Sequence, residues 1–213
     1  MVAKIKFCGI MRSRDAAVAA QAGAGYLGVV FAEGARTVSE DGAREVVAAA
    51  SGVPVLGVFT TQPPDQILRI AGACGILGAQ LHGHYSRADA ARLRREGLEV
   101  WRVVRIGAPS DLDSVEGAED EADAVLVEPL VAHLRGGAGI PLDLALAREA
   151  RHRLVGRMVL AGGLGPENVG AALVQVRPEV VDVSSGVESR PGVKDPQQIT
   201  RFAEAVFAHS SVT

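Results

Sequence analysis

Met158-Val159-Leu160-Ala161-Gly162-Gly163-Leu164-Gly165-Pro166-Glu167, a helical pattern over 166–176, and then Val180-Val181-Asp182-Val183-Ser184-Ser185-Gly186 together spell strand, glycine turn, helix, strand and glycine turn. Both apolar runs are short and rich in β-branched residues, and the stretch between them carries helical periodicity. Working outward, the same alternation occurs eight times. The strands are expected over Lys4 to Cys8, Tyr26 to Phe31, Pro54 to Phe59, Gly78 to His82, Glu99 to Val104, Ala124 to Glu128, Met158 to Ala161 and Val180 to Ser184. Helices are expected near 14–23, 39–50, 64–73, 87–96, 111–119, 142–153, 166–176 and 195–208. Strict β-α alternation implies parallel strands with right-handed crossovers, in an open doubly wound sheet or a closed barrel. Eight repeats favour the barrel, so the expected fold is α/β, a (β/α)8 TIM barrel of near-minimal length, with 1–213 as a single domain.

Three helix starts carry recognisable signals. Asp195-Pro196-Gln197-Gln198 offers a cap acceptor, a proline at the first helical position and a glutamine placed to reach back. Gly165-Pro166-Glu167 and Ser39-Glu40-Asp41 put a tolerated cap before proline or acidic residues, which suit the positive end of the helix dipole. The fifth helix is acidic and poor in large apolar residues.

Composition bounds the function. The 213 residues are 48% hydrophobic and 22% charged with a formal net charge of −3, which describes a globular chain with enough apolar surface to bury. The arginines are scattered, which argues against a nucleic-acid partner. The opening Met1 to Phe7 lacks the apolar core of a signal peptide, and no apolar run reaches the roughly 20 residues of a membrane span. A cytoplasmic protein without a membrane partner is expected. Cys8 and Cys74 are the only cysteines, so reduced thiols are expected rather than a disulfide or a structural zinc site.

In such a barrel, reactive groups belong at the C-terminal ends of strands and in the loops that follow. The segments Gly162-Gly163 and Asp182 to Gly186 suggest a phosphate cup. Glycines let backbone N–H groups approach an anion, and serine hydroxyls add donors. Tight strand-to-helix turns would use the same glycines. Cys8 ends the first strand at the barrel mouth, where a thiolate can act as a base or a buried thiol can simply fill space. Cys74, on a helix, is read as packing. Glu128 follows four apolar residues out of a buried strand, which suits a general acid, although a surface glutamate leading into Pro129 fits the same pattern. Gly23-Ala24-Gly25-Tyr26-Leu27-Gly28 spells G-x-G-x-x-G but precedes a strand, which rules out a dinucleotide fingerprint. His82 and His84 lack a third ligand, so no metal site is expected.

Read in order, Lys6-Phe7-Cys8-Gly9-Ile10, Gln80-Leu81-His82-Gly83, Gly136-Gly137-Ala138-Gly139, Leu160 to Val169, Asp182 to Glu188 and Pro191-Gly192-Val193-Lys194-Asp195 resemble phosphoribosylanthranilate isomerase over nearly the whole chain. The resemblance implies an Amadori rearrangement of an N-phosphoribosyl aminoaldose, with a small phosphorylated substrate and no metal or organic cofactor. It places the base at Cys8 and an anthranilate-binding arginine at Arg36. Substrate contacts are expected at Arg36, His82, Gly162, Gly163, Asp182, Ser184, Ser185 and Gly186. The family's acid is an aspartate closing the sixth strand, where this chain has Leu126-Val127-Glu128. The sixth loop also departs: Ile140-Pro141-Leu142 replaces a polar-aromatic pattern, and Leu144 stands where tryptophan is common.

Two other functions fit parts of the pattern. The histidine-pathway isomerase, or a dual-specificity relative, performs the same rearrangement in a similar barrel, but its first strand ends in a carboxylate where this chain has Cys8. A non-catalytic phosphate-ligand binder would accommodate Glu128 and the altered sixth loop, yet would have no use for a thiol at position 8.

Overall fold

The computed structural model describes residues 2–120, 122–130 and 142–210, the side chain of Ser210 excepted. Eight parallel strands close in sequence order: β1 Lys4–Phe7, β2 Tyr26–Val30, β3 Val55–Phe59, β4 Gly78–Leu81, β5 Glu99–Ile106, β6 Ala124–Pro129, β7 Met158–Leu160 and β8 Val180–Val183. Closure depends on β1 pairing β8 from Lys4 opposite Val180 to Phe7 opposite Val183. The helices α1 Ser13–Gln21, α2 Glu40–Ala49, α3 Pro64–Cys74, α4 Arg87–Arg95, α5 Leu144–Arg153, α6 Val169–Val176 and α7 Pro196–Ser210 make the final unit and every crossover but the one from β5 to β6. No helix among the described residues is long and apolar enough to cross a membrane.

The strands read as continuous apolar runs because both of their faces are buried. Successive side chains alternate. Ile5, Phe7, Leu27, Val29, Val125, Val127, Met158, Leu160, Val181 and Val183 join the large outer cluster under the helices. Tyr26, Leu56, Trp101, Ala124, Leu126, Val159, Ala161 and Val180 fill the barrel interior. Extending that alternation to the strand ends brings Cys8, His82, Arg105, Glu128 and Ser184 to the inner side of the C-terminal rim. It also places three polar residues deeper: Lys6 and Gln80 are buried, and Asp182 is mostly so.

Helix starts behave as their side chains dictate. Ser39 accepts from the Gly42 backbone N–H, and Ser86 and Asp89 form a reciprocal capping box. Asp195 Oδ1 accepts from Gln197 N at 2.8 Å and Gln198 N at 3.3 Å. Two expectations need correction. The helix expected over 111–119 is instead a 3-10 turn, Pro109–Ser114, because the segment offers few large apolar anchors and Gly117 takes a left-handed φ of 70°. The helix expected to start at Pro166 begins at Val169. Asn168 holds the preceding turn open, its Oδ1 accepting from Gly165 N at 2.8 Å and its Nδ2 donating to Gly163 O at 2.9 Å. After β8 the chain also makes a small hairpin, β9 Glu188–Arg190 and β10 Val193–Lys194, which the strand pattern did not reveal.

The last helix seals the seam. Phe202 of α7 has no exposed surface and meets Phe7 of β1 edge-on, with ring centroids 6.0 Å apart. Phe202→Ala is expected to lower unfolding stability by about 3–5 kcal/mol through lost burial and a residual cavity. Urea denaturation checks this, and a loss below about 1 kcal/mol would mean that α7 is not needed to hold the seam.

Candidate active site

Cys8 follows β1 directly, its backbone N–H donating to Val183 O at 2.8 Å, so the closing seam of the barrel fixes its position. Gly28 makes room for it: a Cβ at Gly28 would lie 2.9 Å from Cys8 Sγ and 3.1 Å from Lys6 Cε. The thiol and the lysine stem therefore converge on the same glycine. Lys6 Nζ donates to Gln80 Oε1 at 2.8 Å and to Asp182 Oδ1 at 2.9 Å, and it lies 5.5 Å from the Trp101 ring centroid. Burial pushes the Cys8 thiol up, and the positive charges of Lys6 and Lys194 offset only part of that, so it rests above its ordinary value. Asp182 is the partner of Lys6 and directly opposite it in register.

Glu128 faces the same rim from β6. Its strand neighbour in register is Arg105, whose Nε donates to Glu128 Oε1 at 2.7 Å. His82 Nε2 lies 3.0 Å from that same oxygen. Both partners use Oε1, which leaves Oε2 as the carboxyl oxygen without a bond among the described residues. Burial raises this carboxyl, but His82 and Arg105 together outweigh it and hold Glu128 below the usual carboxylate range.

The two glycine loops meet. A Cβ at Gly186 would fall 1.9 Å from Leu164 O and 3.1 Å from Gly165 Cα, so only glycine permits the loop after β8 to press against the loop after β7. Gly162 and Gly163 adopt left-handed φ values of 106° and 60°. A Cβ on Gly162 would also strike Pro129 Cδ at 2.2 Å. Ser184 sits behind this pair of loops, its carbonyl accepting from buried Lys194 Nζ at 3.0 Å. Adjacent glycine backbones and serine hydroxyls are suited to an anion.

Arg36 closes the site over Gly9, whose added Cβ would meet Arg36 Cδ at 2.7 Å and Ser184 Oγ at 3.0 Å. The hairpin supplies its partner. Glu188 takes a two-pronged contact, Arg36 Nε to Oε1 and Nη2 to Oε2, each 2.8 Å. Lys194 Nζ also donates to Glu188 Oε1 at 2.8 Å. The Glu188 bond raises the Arg36 guanidinium further, and Arg36 and Lys194 overcome burial to lower the Glu188 carboxyl. Nη1 of Arg36 stays uncommitted among the described residues.

Nearly every residue expected at the site thus lies on one rim or directly beneath it. Sequence reasoning passed over Lys6, Glu188 and Lys194 as functional groups, and took Gln80 and Arg105 only as strand-end positions where reactive groups could lie, with no role for either. An inward-parity signal existed for Lys6 and Gln80, which share faces with Cys8 and His82. The Gly136 to Gly139 motif and Ile140-Pro141 lie outside the described residues. Leu142 is buried, and Leu144 starts α5, partly packed on the core. No group of three or more His, Cys, Asp or Glu among the described residues is arranged to hold a metal ion.

Comparison with known proteins adds to this geometry. The family model for N-(5'-phosphoribosyl)anthranilate (PRA) isomerase matches residues 5–205. The enzyme of that name from Rubrobacter xylanophilus is 41% identical over 206 residues, covering 96% of this chain and 98% of the relative. The crystal structure of phosphoribosyl anthranilate isomerase from Thermotoga maritima has a TM-score of 0.88 at 30% identity, covering 97% of this chain and 99% of that one. A structure of phosphoribosyl anthranilate isomerase in complex with reduced 1-(o-carboxyphenylamino)-1-deoxyribulose 5-phosphate has a TM-score of 0.85 at 29% identity, covering 97% of this chain and 99% of that one.

The contact between the two glycine loops is directly testable. Gly186→Ala must push Leu164 away, and it is expected to weaken inorganic phosphate binding by about tenfold, the equivalent of one lost hydrogen bond. Titration calorimetry on the folded variant reads the effect, and unchanged affinity would mean that the apposed loops are not an anion cup.

Proposed function

The chain belongs to the N-(5'-phosphoribosyl)anthranilate isomerase family, and on that premise we propose that it performs the family's Amadori rearrangement with Cys8 as base and Glu128 as acid. The product is 1-(2-carboxyphenylamino)-1-deoxyribulose 5-phosphate, a step of tryptophan biosynthesis. The observation that carries the assignment is the Glu128 carboxyl, anchored twice through Oε1 with Oε2 left open on the rim that also holds Cys8.

The steps follow from those positions. Substrate phosphate lies against the loops after β7 and β8, and the anthranilate carboxylate meets the uncommitted Nη1 of Arg36. Glu128 Oε2 delivers a proton to the furanose oxygen as its bond to C1 breaks, which leaves a protonated Schiff base at C1. The Cys8 thiolate then removes the proton from C2. The released electron pair forms the C1–C2 double bond and neutralises the nitrogen. The resulting enolamine takes a proton at C1 and loses one from the C2 hydroxyl to reach the ketone, so no proton is gained or lost overall.

The resting protein holds the opposite protonation from the one the first step needs. Cys8 sits above its ordinary value and Glu128 below its own, so near neutral pH the pair rests as thiol and carboxylate. The working form, thiolate and carboxylic acid, carries the same number of protons. Its share is therefore independent of pH between the two titrations. Substrate binding enlarges that share on the acid side, because expelled water and an incoming anion both favour protonated Glu128.

Glu128 has one more methylene than the aspartate of the family pattern. Arg105 and His82 take up that length by holding the nearer oxygen, which compensates for a displacement otherwise worth on the order of 100-fold in rate.

Loss of anthranilate-adduct fluorescence on substrate generated in situ should be rapid with the parent protein and absent with Cys8→Ala. Glu128→Gln should lower turnover by about 100-fold or more, and undiminished turnover in this variant would remove Glu128 from the chemistry. The kcat/KM profile should be flat through neutrality. It should fall on the acid side only below the ordinary glutamate range, where Glu128 protonates while Cys8 remains a thiol, and on the alkaline side only above the ordinary thiol range, where both are ionised. An acid limb near pH 6–7 beyond the one brought by ionisation of the substrate phosphate would contradict the inverted pair.

A further inference from the structure

A continuous chain of hydrogen bonds, ending in one close polar contact, crosses from the base side of the barrel to the acid side. It runs from Asp182 to Lys6, from Lys6 Nζ to Gln80 Oε1 at 2.8 Å, from Gln80 Nε2 to His82 Nδ1 at 3.2 Å, and from His82 Nε2 to Glu128 Oε1 at 3.0 Å. Donor and acceptor roles along it are forced. A lysine ammonium only donates, so the Gln80 atom facing Lys6 must be the carbonyl oxygen. The Gln80 NH2 then faces His82, and since an amide NH2 only donates, Nδ1 must accept. The imidazole proton therefore stands on Nε2, the nitrogen 3.0 Å from Glu128 Oε1. Gln80 has almost no exposed surface and Lys6 none, so water does not compete for these bonds.

We propose that Gln80 is a positioning residue that sets the tautomer of His82, with Lys6 fixing the direction of the Gln80 amide. The consequence reaches the reaction through Glu128. An Nε2–H donor keeps Glu128 Oε1 engaged and leaves Oε2 as the oxygen that carries the reacting proton. With the other tautomer, a nitrogen lone pair would face a carboxylate oxygen at 3.0 Å, and the carboxyl would have to turn away. Neither Gln80 nor Lys6 needs to touch the substrate for this. The effect on turnover rests on Glu128 being the acid; the tautomer itself does not.

The test reads the two separately. Nitrogen NMR of the unliganded, histidine-labelled protein, with His82 assigned by loss of its signals in His82→Asn, should show the proton on Nε2 and a bare Nδ1. Gln80→Glu replaces the NH2 with an acceptor and should bring a proton onto Nδ1. Its kcat should fall by about tenfold or more while KM moves less than about twofold. Gln80→Met, which keeps the volume and removes both polar groups, should show mixed tautomers and an intermediate kcat. A wild-type His82 protonated on Nδ1 alone overturns the proposal without any variant being made. So does a Gln80→Glu protein whose Nδ1 stays bare, or one whose Nδ1 gains a proton while kcat is unchanged. Failure of Glu128 as the acid is read independently, from the turnover of Glu128→Gln.

Discussion

Lys6 carries a positive charge at a position with no exposed surface, inside a barrel only eight strands around. Removing an ammonium from water costs several kcal/mol, and it is tolerated only where partners replace the lost hydration. Asp182 and Gln80 supply two hydrogen bonds, and the Trp101 ring face adds a cation–π contact. Asp182 stands opposite Lys6 in register because β1 and β8 are the first and last strands to pair. The same ion pair that satisfies a buried charge therefore also specifies which two strands close the barrel and in what stagger. Cys8 lies one further step along that inward face, so its electrostatic surroundings depend on the seam being correctly aligned.

The rim above this pair is built as two opposed halves. One half holds a buried thiol beside two lysines, the other a carboxyl gripped by an arginine and a histidine. Burial acts on both groups in the same direction, upward. The outcome differs because Arg105 and His82 both lie against one oxygen of Glu128 and outweigh its burial, whereas the cationic neighbours of Cys8 only partly offset the burial of the thiol. The thiol and the carboxyl are thus separated in proton affinity by local partners rather than by depth.

Much of this was legible in the residue order. The eight strands could be located to within a residue or two because buried parallel strands are unbroken apolar runs, and Gly162, Gly163 and Gly186 marked loops at the correct rim. The fifth helix could not be read correctly, since 111–119 combines acidic residues with a glycine and gives no apolar stripe to dock. What stayed hidden was pairing across strands. Nothing in the order of residues says that Lys6 faces Asp182 or that Arg105 faces Glu128, because barrel stagger decides both. The Arg36 to Glu188 contact was equally invisible, for it depends on a hairpin of three-residue and two-residue strands too short to leave a pattern.

The hairpin also reaches back to the start of the chain: Lys194 N donates to Asp15 Oδ2 at 3.4 Å, and Arg12 Nη2 donates to Lys194 O at 3.2 Å. Contacts spanning nearly the full contour length are the costliest to form during folding, since the entropy of closing so large a loop is lost before the contact is gained. A growing chain on the ribosome therefore carries Lys6 and Cys8 long before it carries Lys194, the seam or the hairpin. Until Val180 to Lys194 have emerged, that thiol has an ordinary aqueous environment. The surroundings that set the character of Cys8 are thus supplied by residues 180–194, long after the thiol itself has been made.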